Sequence, residues 1–510
     1  MRRILVIQHL ALGDVLLLEP LLRGLAVRWP GAAVDLATAA AHQEAARLLP
    51  LRAWHGLEPQ LLVALVRGET PERLPAWAGA YDLVINPCFT AVGAALSGLA
   101  RPAELWGTDR DAAGALFTHG DWLTYLRLHW AGLATNPFHL ADIYCLAAGV
   151  PPPAGPPALR LSPPDRAQAT RLLAPAGERP LVALHPGAGK DDRRWPLASF
   201  RDLGRLLLAR GAGLVITGGP GEAGLARRLA DMLEGRALVT AARTTVGGLG
   251  AVLARCRAIV TADTGPQHLA AALAVPVVCL SLGRSRFRAT GPHLPEFGLV
   301  VSPARDCYPC REGQVCPGRE CATDLTPADA LAALDAALGA PFAPPPGSRA
   351  RFHRAVTAPD GWLDFASLTS DPSAPDPAAE RLAAWRRAWL TVLGPGGQPS
   401  DPGLPPRPWP TRGPAGIMAA LCQEGLAALE LLTRAAARGA RGRAEEARDR
   451  LAEVRRGIIR LGLEEAEWEG AALYFVSATR SEDGEMEKLP PGELAVVLRQ
   501  MVHLAWAGEP

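Results

Sequence analysis

Two series of alternating strand-like and helix-like segments, separated by the proline-rich run GVPPPAGPPALRLSPPD (Gly149 to Asp165), constrain this chain more than any other feature. In the first series RILVI, AVDLAT and YDLVINP are short β-branched runs, and the stretches between them carry apolar residues at helical spacing. In the second, PLVALH, GLVIT, AIVTA and PVVCLSL are strand-like, whereas LASFRDLGRLLLARG, LGAVLARC and PQHLAAALA read as helices. Strands that alternate with helices pair in parallel, because each crossover helix packs back onto its sheet. The chain therefore reads as α/β, with two Rossmann-like domains (1–160 and 161–340) facing each other across a cleft. Beyond Pro341 helical patterns at Ala378–Leu393, Ile417–Arg438, Arg443–Leu463 and Pro491–Ala507 alternate with Pro/Gly-rich linkers, the longest from Gly394 to Pro414. Residues 341–510 thus read as a helical appendage, and they carry no catalytic constellation.

Composition narrows the function classes. Of 510 residues, 49% are hydrophobic and 20% charged, which suits a globular protein with a full core. Lys and Arg total 53 against 51 Asp and Glu, so there is no basic footprint for nucleic acid. Met1, Arg2 and Arg3 ahead of an apolar run imitate a secretory signal, but Gln8, His9, Asp14 and Glu19 break that run. No apolar run reaches the ~18 residues of a membrane helix. The expectation is a cytoplasmic protein, with association at the inner membrane face left open. Neither domain shows a G-x-G-x-x-G followed by an acidic ribose-binding residue, which argues against a dinucleotide cofactor.

Four loops could carry chemistry. In VIQHLALGDVLLLEP, a strand (Ile4 to Ile7) is followed by Gly13 and Asp14, with a helix expected from about Val15. Asp14 would lie at a loop–helix junction by the carboxyl end of the first strand, where open α/β sheets bind ligands. In ALHPGAGKDDRRWPLASF, small residues allow backbone amides to approach an anion, and Lys190, Arg193 and Arg194 could neutralise phosphate oxygens. The plain alternative is a solvated loop with surface ion pairs. In TADTGPQHLAAAL, a strand delivers Asp263, Thr264 and Gly265 to the start of a helix with Pro266 in its first turn and His268 a turn later. Such a helix start offers free N–H groups to a diphosphate, although Asp263 or Thr264 could serve only as its N-cap. TGGPGEAG places Glu222 at a further strand-to-helix turn, where it could accept hydrogen bonds from a ribose.

Nine cysteines are present. Cys88, Cys145, Cys256, Cys279 and Cys422 sit singly in apolar surroundings and read as buried free thiols. The other four, Cys307-x2-Cys310-x5-Cys316-x4-Cys321, are spaced for a structural zinc or for two disulfides.

Taken in order, LGD, HPGAG…RRWP, TGGPGE and DTGPQHLAAAL resemble glycosyltransferase family 9, the ADP-heptose:lipopolysaccharide heptosyltransferases, over roughly residues 1 to 340. The resemblance implies a GT-B fold and an inverting transfer of heptose from ADP-heptose to a hydroxyl of a glycan or glycolipid acceptor, with no metal in catalysis. It implies that Asp14 is the general base. Arg193, with Lys190, would grip the donor diphosphate, joined by the Thr264 and Gly265 amides and His268. Asp263 would bind heptose hydroxyls, Glu222 the ribose, and the segment around Thr244 would border the adenine. The stretch before LGD departs from the family pattern R-x-S-S-L-G-D: Gln8 stands at the arginine position, and Leu10 and Ala11 replace the serines. A non-catalytic sugar-nucleotide-binding protein and a GT-B sugar-nucleotide epimerase are the alternative readings.

Overall fold

A computed structural model describes residues 2–369 except 68–76, 80, 111–113, 115, 130–135, 153–154, 156, 311–315 and 317, and scattered positions from 379 to 458. The appendage helices expected at 417–438 and 443–463 lie largely outside the described residues, and the helix at 491–507 and the 394–414 linker lie wholly outside them.

Two sheets form two domains. The first contains β1 (Arg3–Ile7), β2 (Ala33–Ala39), β3 (Ala53–Leu57), β4 (Leu83–Asn86), β5 (Glu104–Arg110) and β6 (Leu116–His119), in the order β3-β2-β1-β4-β5-β6. All neighbours are parallel except the β5–β6 edge pair. Ile4, Leu5, Val6 and Ile7 are all fully buried, as expected of a central parallel strand covered by helices on both faces.

The second sheet contains β7 (Leu181–His185), β8 (Gly213–Ile216), β9 (Ala237–Val239), β10 (Ala258–Ala262), β11 (Val277–Leu280), β12 (Gly298–Pro303), β13 (Ala350–Thr357) and β14 (Leu363–Ser367). Its order is β14-β13-β12-β11-β10-β7-β8-β9. The six strands from β7 to β12 are parallel, and β13 and β14 add an antiparallel hairpin at one edge. Strand order reverses between β1 and β4 in one sheet and between β7 and β10 in the other. At such switch points a crevice opens beyond the carboxyl ends of the strands.

The hairpin corrects the sequence-based boundary at 340. Residues 350–367 belong to the second domain, because Ala350, Phe352, Ala355, Leu363 and Phe365 pack inward on the sheet core. Arg351, His353 and Arg354 between them mask the strand alternation in the sequence. The chain then returns to the first domain. Arg386, 4% exposed, donates to both Asp360 oxygens (2.5 and 2.8 Å) and to the carbonyls of Leu363 (2.8 Å) and Pro137 (3.3 Å). Trp389 meets Tyr125 edge-on at 4.8 Å. Asp142 of the first domain adds a second tie, accepting from His293 Nε2 (2.9 Å) and from the Leu363 amide (3.0 Å).

Candidate active site between the two domains

The carboxyl edges of the two sheets confront each other. After β1 the chain enters a helix at Leu12–Leu16, earlier than the start near Val15 expected from sequence, so Asp14 lies inside the first turn. That helix faces the start of the helix Gly265–Ala271, which follows β10. The approach is close: a Cβ on Gly13 would lie 2.8 Å from His268 Cδ2, and a Cβ on Gly265 would lie 2.8 Å from Leu12 Cδ2. Glycine at both positions is what allows two helix starts from different domains to meet.

This meeting brings Asp14, Asp263 and His268 together. The Asp14 carboxyl is pushed up to about 6, chiefly by loss of water around it and further by the negative charge of Asp263, with the Ala11 amide acting in the opposite direction. His268 is buried and its pKa is lowered, mainly by desolvation, so at neutral pH it is an uncharged ring. Its Nε2 lies 4.0 Å from Asp263 Oδ1, and its Nδ1 is buried without a partner. A neutral imidazole supplies one N–H bond to a phosphate or sugar, not a full positive charge.

Asp263 is 4% exposed and held on one side. Its Oδ2 accepts from Ser285 Oγ (2.8 Å), Thr290 Oγ1 (2.9 Å) and Arg193 Nη1 (3.4 Å). Arg193 ends a short 3-10 turn (Asp191–Arg193) after the HPGAG loop, and its Nε is buried and unpartnered. Thr264 and Gly265 occupy the N-cap and first position of their helix, with no side-chain cap. Lys190, at the cap of the 3-10 turn, is exposed.

Glu222 closes the far end. Its Oε2 accepts from the Gly219 amide at 2.7 Å, and Oε1 lies 3.7 Å from His185 Nε2. A Cβ on Gly187 would fall 1.8 Å from Glu222 Oε1, so only glycine fits between the HPGAG loop and this carboxylate. Thr244 precedes Thr245, whose Oγ1 caps the helix Val246–Leu253 by accepting from the Gly248 amide at 2.9 Å. The Val246 amide is taken by Glu44 of the first domain at 2.8 Å, so the domains also touch beside Thr244.

Sequence reading missed several contributors. Ser281, Ser285 and Thr290 orient Asp263 or its partners, and the S-x-x-x-S spacing after β11 was the available signal. Gln8, 1% exposed, accepts from the Leu10 amide (3.3 Å) and from Cys88 Sγ (3.1 Å), and its Nε2 donates to the Tyr144 hydroxyl (3.3 Å). It ties down the backbone leading to Asp14. A cavity of about 590 Å³ adjoins His268, lined also by Leu16, Glu19, Arg23, Asp142 and His293. Asp14, Arg193, Glu222 and Asp263 are not among its walls, so this cavity touches the reactive cluster through His268 and not through its carboxylates or Arg193.

The cysteine loop holds free thiols: Cys307 and Cys316 are exposed, Cys310 and Cys321 half-buried. Burial, then the charge of the neighbouring thiols, raises the pKa of Cys310 and Cys321. Among the described residues no group of three or more His, Cys, Asp or Glu side chains is arranged to hold a metal ion. Nor, among them, is any helix long and apolar enough to cross a membrane.

Comparison of the sequence with known proteins identifies its family. Residues 79–318 match the family model described as glycosyltransferase family 9 (heptosyltransferase). The chain is 31% identical over 291 residues to lipopolysaccharide heptosyltransferase 1 of Pseudomonas aeruginosa, covering 54% of this chain and 78% of that protein. It belongs to glycosyltransferase family 9. Lipopolysaccharide heptosyltransferase 2 of Salmonella typhimurium is 24% identical over 367 residues, covering 66% of this chain and 98% of the relative. Among solved structures, a family 9 glycosyltransferase from Veillonella parvula aligns with a TM-score of 0.45 at 19% identity, covering 57% of this chain and 83% of that one. An ADP-heptose lipopolysaccharide heptosyltransferase II from E. coli aligns with a TM-score of 0.44 at 20% identity, covering 66% and 98%. As a family 9 glycosyltransferase the chain has the two-domain GT-B arrangement described above, with an antiparallel hairpin and a returning C-terminal segment that tie the domains together.

Proposed function

We propose that this glycosyltransferase moves a heptose from ADP-heptose to a hydroxyl of a lipopolysaccharide-core glycan, inverting the anomeric centre and using no metal. The observation that supports this most is the Asp14 carboxyl, raised to about 6 and facing Asp263 and His268 of the other domain. A carboxylate poised just below neutral pH is mostly ionised in the cell yet basic enough to accept a proton from an alcohol.

In this reading the acceptor hydroxyl loses its proton to Asp14 as its oxygen bonds to the anomeric carbon. The bond from that carbon to the β-phosphate oxygen breaks, and its electron pair leaves with ADP. A single displacement from the face opposite the leaving group inverts the centre. Arg193 and the amides of Thr264 and Gly265 take up the charge growing on the diphosphate. Asp263 Oδ1, which carries none of the three bonds fixing Oδ2, accepts from heptose hydroxyls. Glu222 holds the ribose, and the Thr244 segment lies against the adenine. The acceptor enters from the first domain, and we place the enzyme in the cytoplasm at the inner membrane face, where a glycolipid acceptor is presented. Structural zinc at Cys307, Cys310, Cys316 and Cys321 is carried by their spacing alone. Elemental analysis tests it: about one zinc per chain supports it, and a zinc-free folded protein overturns it.

The competing reading, a binder without turnover, is favoured by one feature: Leu10 and Ala11 place no hydroxyl before LGD, and Leu10 is 44% exposed. Calorimetry with ADP, ADP-heptose, UDP and UDP-glucose tests the donor assignment. Adenine-selective binding that survives Asp14→Asn supports it, and equal affinity for UDP and ADP overturns it.

A further inference from the structure

We propose that Tyr308, Ser281 and Ser285 form a hydrogen-bonded relay through which the cysteine-rich loop positions Asp263. The role given to Asp263 rests on the donor-binding reading above; the relay itself rests on geometry.

The direction of the relay follows from counting protons, since each hydroxyl has one to give. Ser285 Oγ donates to Asp263 Oδ2 at 2.8 Å. Ser281 Oγ donates to Ser285 Oγ at 2.9 Å. The proton of Ser281 is thereby used, so at the 2.6 Å contact between Ser281 Oγ and the Tyr308 hydroxyl, Tyr308 is the donor. Three hydroxyls point the same way and end on a carboxylate, an arrangement in which each bond polarises the next. Ser281 and Ser285 are fully buried, so water does not compete for these bonds.

The loop that carries Tyr308 is fastened to the turns that flank Asp263. The Cys310 amide donates to the Gly283 carbonyl at 2.9 Å, in the middle of the Ser281–Ser285 turn. Gly283 has φ +60, and a Cβ there would lie 2.6 Å from the Asp192 carbonyl oxygen, so this turn presses on the one that carries Arg193. Arg284 Nε reaches Asp192 Oδ2 at 2.9 Å, and Arg319 Nη2 reaches the Arg194 carbonyl at 2.7 Å. Ser285 and Arg193 both end on Asp263 Oδ2, and the loop is bonded to the chain beside each of them, at Ser281 and Gly283 on one side and at Arg194 on the other. The consequence is orientation: with Oδ2 saturated, the carboxylate is fixed with Oδ1 available to the sugar. Tyr308, Ser281 and Ser285 are therefore positioning residues for donor recognition.

Two readouts test this, one of them independent of turnover. With [13Cζ]tyrosine labelling, only five tyrosines contribute signals. The Tyr308 signal, assigned by its loss in Tyr308→Phe, is expected to shift on Ser285→Ala and to stay near its wild-type position in Ser285→Thr. The second readout is kinetic. Tyr308→Phe keeps the ring and its packing, and is expected to lower kcat/KM for ADP-heptose roughly 3- to 10-fold, the effect of one hydrogen bond, while the Kd for ADP stays unchanged. Ser285→Ala should lose more. The double variant should lose no more than Ser285→Ala, because the relay is already broken. An unmoved Tyr308 signal, additive kinetic losses, wild-type kinetics in Tyr308→Phe, or a parallel loss of ADP affinity would each overturn the relay. A wild-type protein that shows the NMR coupling but does not turn over ADP-heptose would refute the donor assignment and leave the relay standing.

Discussion

Asp14→Asn should make the protein more stable while removing its activity. Asp14 carries a pKa of about 6 in the folded protein against 3.8 for the free side chain. The folded state therefore binds a proton more tightly than the unfolded chain, and stability falls as pH rises from about 4 to about 6. Two pH units at 1.36 kcal/mol each put the full cost of keeping this carboxylate ionised at about 3 kcal/mol at pH 7. Asparagine has nearly the same shape and carries no charge, so it avoids that cost at neutral pH and gains nothing at pH 4, where Asp14 is protonated in the folded state. Denaturant unfolding of both proteins at pH 7 and pH 4 reads the difference directly. The expected result is a gain of about 3 kcal/mol for the variant at pH 7, shrinking toward zero at pH 4. A loss of stability at pH 7, or a gain independent of pH, would refute the argument that desolvation and Asp263 hold this carboxyl in a strained ionisation state.

Other outcomes follow from the same geometry. The wild-type kcat/KM should have an acidic limb near pH 6, since protonated Asp14 cannot accept the acceptor proton; a flat profile down to pH 5 would remove Asp14 from that role. Gly13→Ala places a methyl 2.8 Å from the His268 ring, so kcat should fall at least ~10-fold as the domains are wedged apart, with ADP affinity by calorimetry nearly kept. Arg193→Ala removes a partner of Asp263 and, in the proposed donor site, a phosphate ligand, and should weaken ADP binding by roughly 10- to 100-fold, the ~1.5–3 kcal/mol of a charged hydrogen bond. Arg386→Met leaves Asp360 and two carbonyls without their donor, and thermal unfolding should show a loss of about 2 kcal/mol.

The sequence carried the two α/β series because central parallel strands such as Ile4–Ile7 and Ala258–Ala262 are apolar runs with glycine- or proline-marked ends. The edges were harder to see. AWHGL (β3) and ALV (β9) are short and half-exposed, so their burial pattern leaves little periodicity. ARFHRAVT (β13) hides an antiparallel strand behind charged residues that point away from the core. Asp14, Asp263, Arg193 and Glu222 were visible because each follows a strand at a small-residue turn. The contacts that tune them were not. Glu44 and Tyr308 are distant in the chain from the groups they hold, Val246 and Ser281, and only the closure of one domain on the other, or of a loop on a turn, brings them together.

Acceptor-dependent release of ADP from ADP-heptose, measured with a heptose-deficient lipopolysaccharide core for the wild type and for Asp14→Asn, tests the central claim most directly. The account predicts release that requires the acceptor and falls at least ~100-fold in the variant, with the Kd for ADP unchanged. Tight ADP binding with no acceptor-dependent release by the wild type, or release equally fast in Asp14→Asn, would contradict it.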